Sequence, residues 1–303
     1  MMKKSMSLSL FVTGLFICNP ALSEDEEEKQ APLPDNEIHL FELNHDQDGY
    51  SLTAGKNISN SPGYDNQPFF TPDNTILFAS IRDGKQTDIY EYILKTGKTR
   101  QITDTEFMEY SPKTSANNDI LTFVRDGENP DQSVWKMDRK SGEYSWAINS
   151  KEPVGYYHIN HKTGDVLFWS RYGWSVQYLN LKRDEGRFVM GNAIPSTPKL
   201  IPGSNKFSFV HRQTNSEVWI KSFNPEDFSV TPLAPVYGVN HDYAWAPNGD
   251  ILRAEENILL VWRAGQENSG WETVQDLTSL FKGKVSRLAI SPDGKKIALV
   301  ENK

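Results

Sequence analysis

The chain contains the phrase Ala289-Ile290-Ser291-Pro292-Asp293-Gly294-Lys295-Lys296-Ile297-Ala298-Leu299-Val300, in which a short polar segment separates two apolar runs. Proline presets φ at the first corner of a β-turn, and glycine accepts the positive φ of a later corner. The flanking β-branched and aliphatic residues are those favoured in strands. The phrase therefore predicts a strand, a tight turn and a second strand.

The same phrase recurs along the chain at nearly constant spacing. Residues 70–78 read Phe-Thr-Pro-Asp-Asn-Thr-Ile-Leu-Phe, and residues 245–252 read Trp-Ala-Pro-Asn-Gly-Asp-Ile-Leu. Six positions align on the proline, with spacings of 44, 45, 41, 45 and 45: Pro72, Ala116, His161, Pro202, Pro247 and Pro292. A period of about 40–45 residues with several strands per unit is typical of propeller blades. The repeats predict an all-β, six-bladed β-propeller.

The two ends of the repeat region complement each other. Residues 37–43 and 50–53 match the third and fourth strands of a repeat, but no first and second strands precede them. The last repeat, in contrast, stops after its second strand at Val300. Pairing these strands would complete a sixth blade and leave no open sheet edge between blades. We therefore expect a single propeller over residues 37–303, whose last blade is closed by N-terminal strands pairing with C-terminal strands.

The first full repeat resembles a known family. It contains Thr71-Pro72-Asp73-Asn74, Ser80-Ile81-Arg82-Asp83-Gly84, Asp88-Ile89-Tyr90 and Gln101-Ile102-Thr103. This pattern is similar to the TolB-type (WD40-like) β-propeller repeat of bacterial envelope proteins. The resemblance is clear in the first and last copies, weaker in the middle of the chain, and implies the propeller fold.

The N-terminus has the organisation of a secretory signal. Lys3 and Lys4 precede an apolar run over residues 8–17, and small residues follow before Glu24. We expect residues 1–23 to be a signal peptide, residues 24–36 to be a disordered acidic and proline-containing leader, and the product to be periplasmic or secreted. The apolar run is too short for a membrane-spanning helix. Cys18, the only cysteine, would be removed with the signal.

Charge limits the class of partner. The chain has a net charge of −8, and removal of residues 1–23, which hold two lysines and no acid, leaves 30 basic against 40 acidic side chains. Nucleic acids require a basic face, so we do not expect one as a partner. We expect a monomer without a transmembrane segment, which binds an envelope or periplasmic protein, or a small ligand.

The sequence lacks the common catalytic and cofactor motifs. It contains no Gly-x-Ser-x-Gly, no Gly-x-x-x-x-Gly-Lys and no Gly-x-Gly-x-x-Gly. His158 and His161 are three apart, which places them on opposite faces of a strand. We therefore assign no catalytic residue, no cofactor and no metal site, and we interpret the Asp-Gly pairs after Arg82 and Arg125 as hairpin turns.

Polar residues concentrate where the innermost strands begin, around the propeller axis. Five residues before each aligned position stand Gln67, Ser111, Tyr156, Thr197, Asp242 and Arg287; the residues before these are Asn66, Tyr110, Gly155, Ser196, His241 and Ser286. This rim is either a hydrogen-bonded, water-filled channel mouth or a binding site. The candidate binding residues are Asn66, Gln67, Glu109, Tyr110, Tyr156, Thr197, His241, Asp242 and Arg287.

Two functions fit these features. The first is a TolB-like binding module for a protein or an envelope ligand. The alternative is a small-molecule hydrolase or lyase at the central channel, with His241 as general base, Asp242 orienting it, and Asp65 or Glu109 as acid or metal ligand. Adjacent residues on a strand point to opposite faces, so His241 and Asp242 would need an irregular backbone to cooperate.

Overall fold

A computed structural model describes residues 33–303 except 48, 83, 85, 128–130, 151 and 267–269. Its 24 strands form six four-stranded antiparallel sheets, and the described residues contain no helix. The all-β, six-bladed propeller expected from the repeats is confirmed. The expected signal peptide and the expected leader as far as residue 32 lie outside the described residues, and the first strand begins at Asn36, where that leader was expected to end.

Blades 1–5 each consist of four consecutive strands, numbered from the axis outward. Blade 1 contains β3 (Asp65–Phe70), β4 (Thr75–Ser80), β5 (Asp88–Ile93) and β6 (Lys98–Gln101). Blade 2 contains β7 (Met108–Thr114), β8 (Ile120–Asp126), β9 (Ser133–Asp138) and β10 (Tyr144–Ile148). Blade 3 contains β11 (Val154–Asn160), β12 (Asp165–Ser170), β13 (Ser175–Asn180) and β14 (Glu185–Met190).

Blades 4 and 5 follow the same order, and blade 6 draws on both ends of the chain. Blade 4 contains β15 (Lys199–Leu200), β16 (Phe207–Arg212), β17 (Val218–Phe223) and β18 (Val230–Val236). Blade 5 contains β19 (Ala244–Trp245), β20 (Ile251–Glu255), β21 (Ile258–Trp262) and β22 (Glu272–Asp276). Blade 6 contains β23 (Lys284–Ile290), β24 (Lys296–Asn302), β1 (Asn36–Asp46) and β2 (Gly49–Asn57).

The turn after each innermost strand has the geometry that its sequence predicts. Two residues after the aligned position, φ is +57° at Asn74, +60° at Asn118, +91° at Gly249 and +73° at Gly294. Asparagine and glycine tolerate this left-handed conformation better than other residues do. The turn closes when the Gly294 amide donates a hydrogen bond of 2.8 Å to the Ser291 carbonyl.

The hydrophobic core consists of six clusters, each between two neighbouring blades. One cluster joins blade 6 to blade 1 and includes Ile38, Val300, Ile76 and Phe78, none of which is exposed to solvent. A blade buries both faces only when it has neighbours on both sides, so a closed ring is required for the core to be complete.

Blade 6 is closed as the sequence predicts. β1 lies between β2 and β24, and it pairs with β24 without a register shift from Asn36↔Asn302 to Glu42↔Lys296. The Lys303 ammonium donates a hydrogen bond of 2.9 Å to the Glu37 carboxylate across this pair of strands. The two ends of the described chain are thereby held in one sheet.

Candidate ligand site in the central channel

The six innermost strands surround a channel, and two rings of side chains line a cavity of about 190 Å³ inside it, here called the inner cavity. The outer ring is the set predicted at the rim: Gln67, Ser111, Thr197, Asp242 and Arg287 line the cavity from five blades. The next ring lies two residues further along each strand: Phe69, Lys113, His158, Lys199, Ala244 and Ala289. Strand side chains alternate between faces, so positions two apart point the same way.

The innermost strands β3, β7, β11 and β23 shift register at the rim, and β3 and β7 do so at a bulged residue with positive φ. Gln67 and Ser111 have φ of +58° and +52°, and the pairing of each strand shifts register at these points. The Ser111 amide donates a hydrogen bond of 2.6 Å to the Gln67 side-chain oxygen, which joins blade 2 to blade 1. Proline follows each bulged residue and has no N–H to leave unpaired. Residues with positive φ other than glycine are costly, and they concentrate at functional sites.

The inner cavity carries an excess of positive charge. Lys113, Lys199 and Arg287 line it, and Asp242 is the one carboxylate among its lining residues. Asp242 Oδ1 lies 3.6 Å from the Lys199 ammonium, and its Oδ2 accepts a hydrogen bond of 2.9 Å from the Leu288 amide. One carboxylate therefore offsets part of the charge of three cations, and the lining favours anions.

Arg287 reaches across the channel. Its Nη2 donates a hydrogen bond of 2.8 Å to the hydroxyl of Tyr156, and its guanidinium lies 5.1 Å from the centre of the Tyr156 ring. A second cavity of about 250 Å³, here called the mouth cavity, lies at the end where the innermost strands begin; Pro34, Asn66, Ser196, His241 and Asn302 are among its lining residues. Asp242 and Arg287 line both cavities, so they mark the boundary between them.

Lys113 has an unusual environment for a lysine. Its Nζ lies 5.2 Å from the centre of the Phe69 ring and 5.8 Å from that of Tyr157. Among the described residues, no hydrogen-bond acceptor or carboxylate lies within bonding distance of this nitrogen. Burial, together with the charges of Lys199 and Arg287, lowers the pKa of Lys113 to about 7. Near neutral pH the site therefore holds a substantial fraction of neutral amine.

The histidines near the channel are held neutral. Burial, and then the charges of Lys113 and Lys199, lower the pKa of His158 well below its usual range. Burial also lowers the pKa of His241, which lines the mouth cavity. In the part of the chain that the structure describes, no hydrogen bond joins His241 to Asp242, so the geometry does not place Asp242 as the orienting partner of a histidine base.

Two acidic residues considered for the rim lie in buried ion pairs. Glu109 is fully buried, lies 3.2 Å from Arg125 Nη2, and accepts a hydrogen bond of 2.9 Å from the Thr105 hydroxyl. Asp65 is also fully buried, accepts a hydrogen bond of 2.6 Å from the Ser80 hydroxyl, and lies 3.5 Å from Arg82. Burial raises the pKa of Asp65 to about 6. These arginines belong to the two Arg-Asp-Gly segments, so the arginines stabilise their own blades.

The structure gathers most, but not all, of the predicted rim residues. Gln67, Thr197, Asp242 and Arg287 line the inner cavity, while Asn66 and His241 line the mouth cavity. Tyr156 contacts the site through Arg287. Tyr110 packs against the cores between blades 1 and 2 and between blades 2 and 3, and neither Tyr110 nor Glu109 is among the lining residues of the two cavities.

Sequence reasoning missed the second ring, including Lys113, His158 and Lys199. A signal for it existed, because the period-2 alternation of a strand places the residue two positions after each rim residue on the same face. These three residues stand three positions before the aligned Ala116, His161 and Pro202.

Two further features of the described residues bear on function. They contain no group of three or more His, Cys, Asp or Glu side chains placed to hold a metal ion. Within the same part of the chain, no helix is long and apolar enough to cross a membrane.

Comparisons with known proteins show the fold. No protein-family model and no curated protein sequence matches the chain. Among solved structures, TolB of Acinetobacter baumannii is 16% identical to this chain, with a TM-score of 0.56. The match covers 88% of this chain and 64% of the TolB chain, so this chain spans less than two thirds of the length of that TolB. A protein described as a TolB candidate from Agrobacterium tumefaciens is 13% identical with a TM-score of 0.67, covering 89% and 99%.

An enzyme has a similar fold. An oligogalacturonate lyase in complex with manganese is 15% identical with a TM-score of 0.57, and the match covers 85% of this chain and 84% of that one. At these identities the likeness concerns the architecture alone. The likeness to these three structures supports the propeller architecture of the chain.

Proposed function

We propose that this protein is a TolB-like binding module of the bacterial envelope, periplasmic or secreted, whose central channel binds an anionic group. One observation carries the proposal: Lys199, Arg287 and the partly protonated Lys113 line the inner cavity with only one carboxylate, in a chain whose net charge is −8. A positive cavity in an acidic protein is costly to maintain, because like charges repel each other in a medium of low dielectric constant. A bound anion would relieve this repulsion.

The lining suits a carboxylate or a similar small anion. Arg287 presents a planar guanidinium, which can donate two parallel hydrogen bonds to one carboxylate. Lys199 supplies a second cation from blade 4, and it is already 3.6 Å from Asp242. The hydroxyl of Ser111 is buried and has no hydrogen-bond partner among the described residues, so its polar capacity is unused. The ligand is a small molecule, or an acidic group presented by a larger envelope component.

Binding can be measured with oxalate as a simple dicarboxylate probe. Trp245 lines the inner cavity, so its fluorescence should report occupancy during titration at low ionic strength. Arg287→Ala and Lys199→Ala should each weaken binding by tenfold or more, since a charge-assisted hydrogen bond contributes about 1.5–3 kcal/mol. Lys95→Ala and Lys140→Ala, exposed in turns at the opposite end of the propeller, are the matched controls. Equal effects of all four substitutions, or no saturable binding, would contradict the proposal.

The envelope location rests on the signal-like N-terminus. Expression with the complete N-terminus, followed by intact-mass measurement of periplasmic protein, should show cleavage between Ser23 and Glu24. A retained N-terminus in the cytoplasmic fraction would overturn this part of the proposal.

A hydrolase or lyase at the same channel remains the second proposed function. The oligogalacturonate lyase among the similar folds and the partly neutral amine of Lys113 favour it. It would use channel residues other than Asp65 and Glu109, because both of these carboxylates are fully buried and ion-paired.

A further inference from the structure

Lys113 is the one cation of the inner cavity for which the described residues provide neither an ion pair nor a hydrogen-bond acceptor at contact distance, although the more distant Asp242 carboxylate acts on its charge. Lys199 has Asp242, and Arg287 has the hydroxyl of Tyr156. The Lys113 amine instead lies against the faces of Phe69 and Tyr157, with its remaining surface on the cavity. A lysine that served only to bind anions would bind them best as a fixed, fully charged ammonium. The environment of Lys113 instead favours the neutral amine.

An aromatic wall with cations nearby is a setting in which lysines act as nucleophiles. An amine attacks a carbonyl carbon only when it is unprotonated, and burial or a neighbouring cation produces the unprotonated form near neutral pH. Both conditions hold for Lys113, since burial and then the charges of Lys199 and Arg287 act on it. Surface lysines stay protonated at the same pH and react slowly.

The cavity also restricts the electrophile. A volume of about 190 Å³ admits a molecule of a few carbon atoms. Arg287 and Lys199 favour a carboxylate in the same space. A carbonyl group adjacent to that carboxylate would then lie in the cavity that Lys113 also lines. A small 2-oxo carboxylate meets both requirements.

We propose that Lys113 forms a reversible imine with small 2-oxo carboxylates bound in the inner cavity. The neutral amine attacks the keto carbon, a C–N bond forms, and the carbonyl oxygen becomes a hydroxyl as the nitrogen loses a proton to it. The carbinolamine then loses that hydroxyl and the second amine proton as water, which leaves a C=N bond. No oxidant or reductant is required. This inference rests on the proposed anion site, which supplies the carboxylate contacts.

Pyruvate and cyanoborohydride provide the test, because the hydride reduces the imine to a stable secondary amine. The full-length mature protein is incubated with both reagents at pH 7, and the modified lysine is identified by peptide mass mapping. We expect modification at Lys113 at least tenfold faster than at exposed lysines such as Lys95. Modification of Lys113 at the same rate as exposed lysines would overturn the proposal, and this measurement needs no variant.

Two further experiments distinguish a failure of the imine proposal from a failure of the proposed anion site. Lys113→Arg keeps the positive charge and removes the nucleophile, so it should abolish the fast adduct while oxalate still binds; Lys95→Arg is the control. Saturating oxalate, which has no keto group, should suppress the adduct in the wild type. Oxalate binding without a fast adduct overturns the imine and leaves the anion site standing. Absence of oxalate binding, or an adduct that oxalate does not suppress, overturns the anion site and this inference with it.

Discussion

Arg287 and Tyr156 are hydrogen-bonded to each other over 2.8 Å, although they belong to blades 6 and 3, which lie opposite each other in the ring. The bond therefore crosses the channel axis. Arg287 also lines both the inner cavity and the mouth cavity. A ligand that passes from the mouth cavity to the inner cavity meets this bond, and it must displace the guanidinium or take over its hydrogen bond.

Removing the Tyr156 hydroxyl should open this path. We expect Tyr156→Phe to increase the association rate of oxalate about tenfold or more, because a hydrogen bond to a charged group contributes about 1.5–3 kcal/mol. Stopped-flow fluorescence measures the rate. Tyr172→Phe, an exposed tyrosine in the hairpin between β12 and β13 of blade 3, is the control and should leave it unchanged. An unchanged rate for Tyr156→Phe would show that the bond does not limit ligand access.

Anion binding should strengthen as the pH falls from 8 to 6. Lys113 has a pKa of about 7, so it gains its proton across this window and adds a third full charge beside Lys199 and Arg287. His158 stays neutral throughout, because burial holds its pKa well below the usual range. Titrations with oxalate at several pH values measure the trend. Lys113→Met should remove most of the pH dependence of oxalate affinity. An equally strong pH dependence in that variant would show that another group causes the effect.

Lys113 should also make the folded state more stable as the pH rises above 7. Its pKa is lower in the folded protein than the ordinary value of about 10.4, so the unfolded chain binds more protons at this site between these two values. The free energy of unfolding rises with pH wherever the unfolded state binds more protons. Urea unfolding at pH 7, 8 and 9 should therefore show Lys113→Met to be more stable than wild type at pH 7, with an advantage that shrinks as the pH rises. A constant difference would contradict the buried, neutral lysine.

Ring closure can be tested by single substitutions in the N-terminal strands. Ile38→Ala should lower the free energy of unfolding by about 2–5 kcal/mol, because Ile38 is fully buried in the cluster between blades 6 and 1. Ser51→Ala, exposed on β2, should change it by less than about 0.5 kcal/mol. Urea unfolding measures both. A loss below about 1 kcal/mol for Ile38→Ala would mean that β1 is not an integral part of the ring.

Glu109 should matter for stability and not for binding. Glu109→Gln removes the carboxylate from the buried ion pair with Arg125, and breaking such a pair costs about 3–5 kcal/mol. Glu185→Gln removes a carboxylate from exposed ion pairs with Arg183 and Arg187, so it should cost less than about 1 kcal/mol. Oxalate affinity should be unchanged in both variants. A loss of oxalate affinity in Glu109→Gln without a loss of stability would show that Glu109 belongs to the binding site.

The architecture was predictable because each blade repeats the same local chemistry. Turn residues such as Asn74 and Gly294 mark the end of an innermost strand, and the incomplete first and last repeats complement each other. These features depend on residues close together in sequence. Even the degenerate copy at Ala116 keeps an asparagine at the position with positive φ.

The site was predictable only in part, because its chemistry depends on neighbours from different blades. The period identified Arg287 and Asp242 as rim residues, but no local pattern could show that Arg287 bonds to Tyr156 across the ring. Glu109 looked like a rim acid because its partner Arg125 is 16 residues away on the adjacent strand. Lys113 could not be recognised from local sequence, since its contacts with Phe69 and Tyr157 form only in the assembled channel.

The pairing of β1 with β24 has a consequence for how the molecule is made. Asn36 and Asn302, which face each other in this pair, are 266 residues apart, so β1 can find its second partner only after nearly all of the chain has been synthesised. Contacts so distant in sequence form slowly, and an unpaired strand edge can pair with other chains in the meantime. Closure therefore cannot occur before β24 has been synthesised. Aggregation should be most severe when full-length chains have left the unfolded state but have not yet joined their ends.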